Sequence, residues 1–94
     1  MELFLDTANI DEIRDGARLG VITGVTTNPS LAAKEGIGSA RAYKSSVQEI
    51  ARMIAPLPLS VEVTTNDRFE MIEQAQQFSE WADNINVKIT IMVR

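Results

Sequence analysis

The sequence predicts an α/β fold in which four parallel strands alternate with helices in the order βαβαβαβ. Short apolar runs bounded by turn residues alternate along the chain with stretches whose apolar residues recur at helical spacing. Because parallel strands need crossover connections, helices between the strands imply parallel pairing with right-handed crossovers. This order is typical of a doubly wound sheet or of part of a barrel.

The first quarter of the chain predicts a strand, a helix and a second strand. The first strand is the short run from Leu3 to Asp6, and the helix begins after Asn9. Asn9 and Glu12 have the spacing of a helix-capping pair, which satisfies the first backbone amides of a helix. Gly20 suits the C′ position at the end of a helix, where the backbone adopts a left-handed conformation. Residues 21–26 are expected to form the second strand.

Two helices are expected between the second and third strands. Asn28-Pro29 starts one, because proline is favoured at the first helical position. A longer helix follows from about Ser39 and ends before Pro56 and Pro58. Its predicted apolar face consists of Ala40, Tyr43, Val47, Ile50 and Ile54.

The second half of the chain repeats the pattern. The third strand is Leu59 to Val63, Asp67 or one of its neighbours caps a helix that extends through Ala82, and the fourth strand is Ile85 to Val93. The predicted apolar stripe of this helix consists of Met71, Ile72, Ala75, Phe78 and Ala82.

Strand parity, the alternation of side chains between the two faces of a strand, distinguishes a doubly wound sheet from part of a barrel. In the third strand Leu59, Val61 and Val63 share one face, and Ser60, Glu62 and Thr64 share the other. In the fourth strand Val87, Ile89 and Ile91 oppose Asn86, Lys88 and Thr90. A doubly wound sheet is covered by helices on both faces, whereas a barrel holds polar side chains inside. The parity therefore favours a barrel.

The composition narrows the class of protein. With 94 residues, 45% of them hydrophobic, the chain is expected to form one domain over residues 1–94 with a small core. The net charge of −4 without long charge runs argues against nucleic acid or a membrane as a partner. Cysteine and histidine are absent, so we expect no catalytic metal. We also expect no cofactor. The lack of a basic leader or long apolar segment predicts a cytoplasmic protein.

Four polar residues lie at or near the carboxyl ends of the predicted strands, where barrel enzymes assemble their sites: Asp6, Thr26, Glu62 and Lys88. Lys88 lies within an apolar run, where desolvation of its ammonium group is costly. Such a lysine is expected to be paired, to have a lowered pKa, or to be retained for chemistry. A neutral amine at this position suggests Schiff-base formation.

Each candidate also has a structural interpretation. Lys88 is compatible with an edge-strand lysine that prevents aggregation, and Asp6 with a turn or capping residue. Glu62 is compatible with a solvent-facing strand residue. The segment Thr26 to Pro29 has the composition of an ordinary strand-to-helix turn. Tyr43 and Trp81 are expected to pack rather than to bind a ligand.

Four motifs carry a resemblance to a known family. They are Phe4-Leu-Asp-Thr-Ala-Asn9, Gly24-Val-Thr-Thr-Asn-Pro-Ser30, Val61-Glu-Val63 and Asn86-Val-Lys-Ile89. In this order and with these separations they resemble the small transaldolases and the related fructose-6-phosphate aldolases, from Met1 to about Ile89. The resemblance implies the (βα) half of a TIM-type barrel, with helices on one face of four parallel strands.

The resemblance also implies roles for five residues. Lys88 matches the lysine that forms an imine with a ketose donor, and Asp6 the aspartate that handles the proton of the hydroxyl beside the breaking bond. Glu62 matches a glutamate that acts through a water in transaldolases, whereas the related aldolases carry glutamine. Thr26 and Asn28 match positions that orient this water and the substrate hydroxyls. The implied activity transfers a dihydroxyacetone unit between sugar phosphates in the pentose phosphate pathway.

Two departures from the family leave the activity of this chain open. Family members close eight strands into a barrel, and the positions that hold the sugar phosphate have no counterpart in these 94 residues. Residues 90–94 form an atypical tail, because relatives carry a proline soon after the lysine. The alternatives are a transaldolase-type enzyme and a catalytically inactive half barrel that acts as a scaffold or remnant.

Self-association is expected for a four-stranded half barrel. The first and fourth strands present unpaired edges, and the inner face with Phe4, Ser60, Glu62 and Lys88 is open to water. We expect a homo-oligomer, for example a two-fold pair in which the fourth strand of each copy meets the first strand of the other.

Overall fold

The computed structural model describes residues 2–63 and 67–89, and these contain four strands and four helices. In chain order the elements are β1 (Phe4–Asp6), α1 (Ile10–Leu19), β2 (Gly24–Thr27), α2 (Pro29–Lys34), α3 (Ala40–Ile54), β3 (Leu59–Glu62), α4 (Arg68–Ser79) and β4 (Ile85–Lys88). The predicted alternation is confirmed, with α2 and α3 together connecting β2 to β3. None of these helices has the length and apolar content that a membrane crossing requires.

The strands form a single parallel sheet in the order β1-β2-β3-β4. Each strand therefore pairs with the next strand of the chain, as in a barrel, whereas strand order reverses within a doubly wound sheet. The sheet order and the strand parity confirm the predicted α/β half barrel.

Side-chain caps start the helices where the sequence predicts them. Asn9, Asn28 and Ser39 each accept a hydrogen bond from the backbone N–H three residues later, at 2.9, 3.0 and 3.1 Å. Asp67 accepts two such bonds, both at 3.0 Å, at the start of α4. Gly20 ends α1 with φ of 68°, a left-handed conformation that is costly for residues with a β-carbon.

The hydrophobic core lies between the helices and one face of the sheet. Its most deeply buried apolar side chains are Ile13, Val25, Val47, Ile50, Leu59 and Val61. They come from α1, α3 and the two central strands, so α1 and α3 cover this face of the sheet. The predicted apolar face of α3 is confirmed from Tyr43 to Ile54, but Ala40, the first residue of the helix, is exposed.

The second strand is shorter than predicted, because it begins at Gly24 and not at residue 21. The hydroxyl of Thr23 accepts the backbone N–H of Leu3 at 2.9 Å and donates to its carbonyl at 3.2 Å. The Leu3 N–H is therefore bonded to a side chain, whereas the Leu3 carbonyl also accepts the backbone N–H of Thr23 at 2.8 Å. Val21 is 56% exposed and lies outside the sheet.

The last helix also differs from its prediction. It ends at Ser79 rather than Ala82, and Ile72, assigned to the apolar stripe, is 53% exposed. Ile72 lies about 100° around the helix from Met71, which points it away from the sheet. The fourth strand ends at Lys88, so Ile89, which was predicted to continue it, lies outside the strand. The rest of the predicted strand, to Val93, and the tail at residues 90–94 lie outside the described residues.

Candidate active site

The inner face is the face of the sheet that points away from the helices. Its residues are Phe4, Asp6, Gly24, Thr26, Ser60, Glu62, Asn86 and Lys88. Strand register arranges the polar ones in two rows. Asp6, Thr26, Ser60 and Asn86 are successive register partners, and Glu62 and Lys88 are partners one step closer to the carboxyl ends. Partners in a parallel sheet share a face and lie about 4.8 Å apart.

The second row places a carboxylate beside the candidate imine-forming lysine. Glu62 is half-buried and Lys88 is exposed. The backbone N–H of Val63 donates to the Lys88 carbonyl at 2.9 Å, so the ladder between β3 and β4 continues past this pair. The backbone of both residues is therefore held by regular pairing, and their side chains start from neighbouring positions on one face.

Asn28 connects the loop after β2 to this row. Its Oδ1 accepts the Leu31 N–H at 3.0 Å as the cap of α2, and its Nδ2 donates to Glu62 Oε2 at 3.4 Å. One side chain thus starts the helix and contacts the candidate carboxylate. Two interpretations of Asn28 were predicted: a cap in a strand-to-helix turn, and a residue that orients substrate. The two contacts of its side chain are compatible with both.

Asp6 lies at the opposite edge of the sheet from Lys88. It is the register partner of Thr26, and the Thr7 N–H donates to the Thr26 carbonyl at 3.0 Å beyond that pair. Three strand spacings, about 14 Å in a flat sheet, separate β1 from β4. The structure thus places Glu62 beside the lysine in the strand register and Asn28 in contact with Glu62, whereas Asp6 and Thr26 lie together on the other side.

The apolar run around Lys88 predicts a sheltered amine, but Lys88 is exposed within the described chain. The reason is its strand: β4 is an edge of the four-stranded sheet, and Lys88 points to the face that the helices leave uncovered. Ile85 and Val87 point to the helices instead and supply the apolar character of the run.

Two polar residues of the inner face were not among the candidates derived from sequence. Ser60 and Asn86 complete the row that begins with Asp6 and Thr26. Their strand parity, which matches that of Glu62 and Lys88, was the available signal. Parity alone does not reveal the register between strands, so it could not place all four in one row.

The packing role predicted for Tyr43 and Trp81 is confirmed. Their rings meet edge to face, with 5.9 Å between the ring centroids. The Phe78 ring packs against both, and its centroid lies 6.2 Å from that of Tyr43 and 4.7 Å from that of Trp81. Tyr43 is buried, and burial raises the pKa of its hydroxyl, because the phenolate would lose its hydration. This cluster lies among the helices and not on the inner face.

Comparison with known sequences identifies the family. The profile of the Transaldolase/Fructose-6-phosphate aldolase family matches residues 3–93. The chain belongs to this family. The resemblance drawn from the four sequence motifs is therefore confirmed.

Similar proteins of this family carry the name "Probable transaldolase". One from Dehalococcoides mccartyi is 52% identical over 89 residues, covering 95% of this chain and 40% of that protein. Others from Heliobacterium modesticaldum and Carboxydothermus hydrogenoformans are 50% and 51% identical and cover 97% and 95% of this chain. The chain spans about two fifths of the length of these relatives.

Proposed function

We propose that this chain carries the imine-forming part of a transaldolase-type site. The reaction would move a dihydroxyacetone unit from a ketose phosphate to an aldose phosphate. The observation that supports it best is the register pairing of Glu62 with Lys88 on the inner face, next to Asn28. Membership of the family and the name of its relatives support the same reaction. The proposal implies the cytoplasm and the pentose phosphate pathway as its setting.

The proposed steps need one amine and two carboxylates. The neutral Nζ of Lys88 adds to the ketone carbon of the donor, and loss of water leaves an iminium C=N bond. Asp6 takes the proton of the hydroxyl beside the carbon–carbon bond that breaks, and the electrons of that bond pass into the iminium to form an enamine. An aldehyde leaves, and the enamine then adds to the acceptor aldehyde by the reverse step. Glu62, through a water, moves the protons of imine formation and hydrolysis.

Barrel closure resolves the separation of Asp6 from Lys88. In an eight-stranded barrel the first and fourth strands stand across the interior from each other, and their inward side chains converge. The remaining wall would also exclude water from Lys88. Thr26 lies on β2 and Asn28 directly after it, between β1 and β4 in the sheet. From there they would orient the water and the substrate hydroxyls.

Reduction of the imine tests this proposal directly. The protein is incubated with fructose 6-phosphate, treated with borohydride and weighed by mass spectrometry. We expect one adduct per chain, whose mass gain equals the trapped sugar less one oxygen. A three-carbon adduct reports cleavage, and a six-carbon adduct reports an imine without cleavage. Asp6→Asn should shift the product toward the six-carbon adduct, because the proton acceptor for cleavage is lost.

The chain offers a matched control for this experiment, because it has three lysines. Lys88→Met should abolish the adduct, whereas Lys44→Met, an exposed lysine of α3, should leave it intact. Absence of any adduct in protein shown by circular dichroism to be folded would remove the imine proposal.

A second candidate function is an inactive half barrel that self-associates. The observation that favours it is the open inner face: Phe4 is 40% exposed, and Lys88 is also exposed. In addition, β1 and β4 each pair on one side only within the described sheet. A two-fold pair in which β4 of each copy meets β1 of the other would cover both edges.

Sedimentation velocity at micromolar concentration tests the self-association. We expect a homo-oligomer, and Phe4→Glu should shift it toward monomer, because the charge would enter the buried contact. Phe69→Glu is the matched control, since Phe69 is 81% exposed on α4, away from the inner face. A folded monomer of the unchanged chain would contradict the pairing.

A further inference from the structure

The large exposed apolar side chains of the described residues concentrate at the two edges of the sheet. One group belongs to α4 and the end of β4: Phe69, Ile72 and Ile89 are 81%, 53% and 45% exposed. Between β2 and β3 the described chain contributes none. The second group lies in β1, in α1 and directly beside them: Leu3, Phe4, Leu19 and Val21.

Helix α4 has two apolar faces. Met71, Ala75 and Phe78 pack in or against the core. Phe69 and Ile72 are three residues apart and therefore neighbours on the helix surface, about 120° around the helix from the middle of the core face. A helix in the outer layer of a barrel meets the sheet with one face and its neighbouring helices with its flanks. The second apolar face of α4 has the position of a flank.

This flank points away from α3. Gln77 lies on the opposite flank of α4, about 130° from the middle of the core face in the other direction. There it lines a groove together with Ala40 and Lys44 of α3. Because α3 joins β2 to β3 and α4 joins β3 to β4, the flank with Phe69 and Ile72 points beyond β4.

The end of β4 is open on the same side. By parity Ile85, Val87 and Ile89 belong to the face of the sheet that the helices cover. Ile85 is 9% exposed, Val87 is half-buried and Ile89 is 45% exposed. Helix α4 begins beyond the carboxyl end of β3, so its first turns and Ile89 lie at the same end of the sheet. One further helix beside α4 would cover Ile89 and the open flank together.

The topology of the sheet says which element would lie there. A crossover helix packs over the strands that it joins, so this place belongs to a helix that follows β4 and leads to a fifth strand. No helix follows β4 within the described residues. A second copy whose β1 pairs with β4 brings none either, because its helix α1 covers its own β1 and β2. The pair of copies considered above would therefore leave this surface open.

The relatives show how much chain could complete the sheet. The 89 matched residues make up 40% of the Dehalococcoides mccartyi protein, so about 130 of its residues lie outside the match. Strands of this chain begin at Phe4, Gly24, Leu59 and Ile85, about every 27 residues. A segment of about 130 residues therefore has room for four more helix–strand units, the number that closes an eight-stranded barrel.

We propose that the edge formed by α4 and β4 binds a separate polypeptide made of helix–strand units. Its first helix packs against Phe69, Ile72 and Ile89, its first strand pairs with β4, and its last strand pairs with β1. Such an interface resembles a domain core divided in two, a class that buries about 2,000 Å² or more and forms permanent complexes. The interaction needs no imine chemistry, so it goes beyond the function proposed above.

Joint refolding tests the interaction. The probe is the segment of about 130 residues of the Dehalococcoides mccartyi protein that lies outside the match. Equimolar amounts of this segment and the 94-residue chain are unfolded in urea, refolded together and separated by size exclusion with light scattering. We expect one species with the mass of a 1:1 complex. Recovery of the folded chain without the segment, as monomer or homo-oligomer, would overturn the proposal.

The borohydride experiment gives an independent result. A 1:1 complex without an adduct would refute the imine proposal and support this interaction. An adduct formed by a chain that does not bind the segment would do the reverse.

Substitutions on α4 locate the contact. Phe69→Glu and Ile72→Glu should each lower the fraction of chain recovered in the 1:1 complex about tenfold, because a charge would enter an apolar contact. Both side chains are exposed in the chain alone, so circular dichroism of the free variants should be unchanged. Ala42→Glu adds the same charge at an exposed position of α3 and should leave the complex intact. A complex that tolerates both α4 substitutions, or is lost in Ala42→Glu, would contradict the proposed contact.

Discussion

Replacing Leu59 by alanine is expected to lower the free energy of unfolding by about 3 kcal/mol. Leu59 is fully buried in β3, and its register partners are Val25 and Ile85. Truncation removes apolar area from the centre of the sheet and leaves a cavity that regular strand pairing prevents from collapsing. Since domains of this size are stabilised by only about 5–15 kcal/mol, the loss is a large fraction of the total.

Urea unfolding followed by far-ultraviolet circular dichroism measures this loss. Leu19→Ala is the matched control, because Leu19 ends α1 and is 74% exposed. Its effect should stay within about 0.5 kcal/mol, as for other surface substitutions. Equal effects of the two substitutions would show that the described core is not the core of the protein in solution.

Replacing Gly24 by alanine is expected to cost about 2 kcal/mol of stability, although alanine is ordinarily better than glycine in a strand. A β-carbon at Gly24 would lie 2.5 Å from Cε2 of Phe4 and 2.9 Å from the Pro58 carbonyl oxygen. The Phe4 ring, at the end of a side chain, can swing away. The Pro58 carbonyl cannot move without cost, because it accepts the Val25 N–H at 3.1 Å.

A background substitution separates these two contacts in the same urea experiment. In Phe4→Ala the ring is absent, so Gly24→Ala should cost less there, and the remaining cost reports the Pro58 carbonyl. Gly38→Ala is the matched control, because a β-carbon at Gly38 meets no atom within 4 Å. A neutral or stabilising Gly24→Ala would indicate that β1 and β2 do not pair in the described register.

Helix starts and strand faces were predictable because they depend on neighbours in sequence. The caps at Asn9, Asn28, Ser39 and Asp67 each bond an amide two or three residues away, so the local sequence suffices to find them. Alternation within the third strand likewise assigns its residues to two faces without knowledge of the partner strands.

Predictions failed where the outcome depends on distant contacts. Ile72 follows Met71 in an apolar sequence, yet only the position of α4 on the sheet decides which of the two is covered. The shelter expected for Lys88 required a wall beside β4, and its apolar neighbours in sequence point to the other face.

The sequence by itself determined the order of strands and helices, the polar face of the sheet and the family to which the chain belongs. These properties rest on local periodicity, capping and short motifs, which any segment carries within itself. Only the tertiary structure decided that Glu62 pairs with Lys88 and that Asp6 lies on the opposite edge of the sheet. Register and helix packing join residues far apart in the chain, and those contacts form only when the whole sheet and its helices assemble.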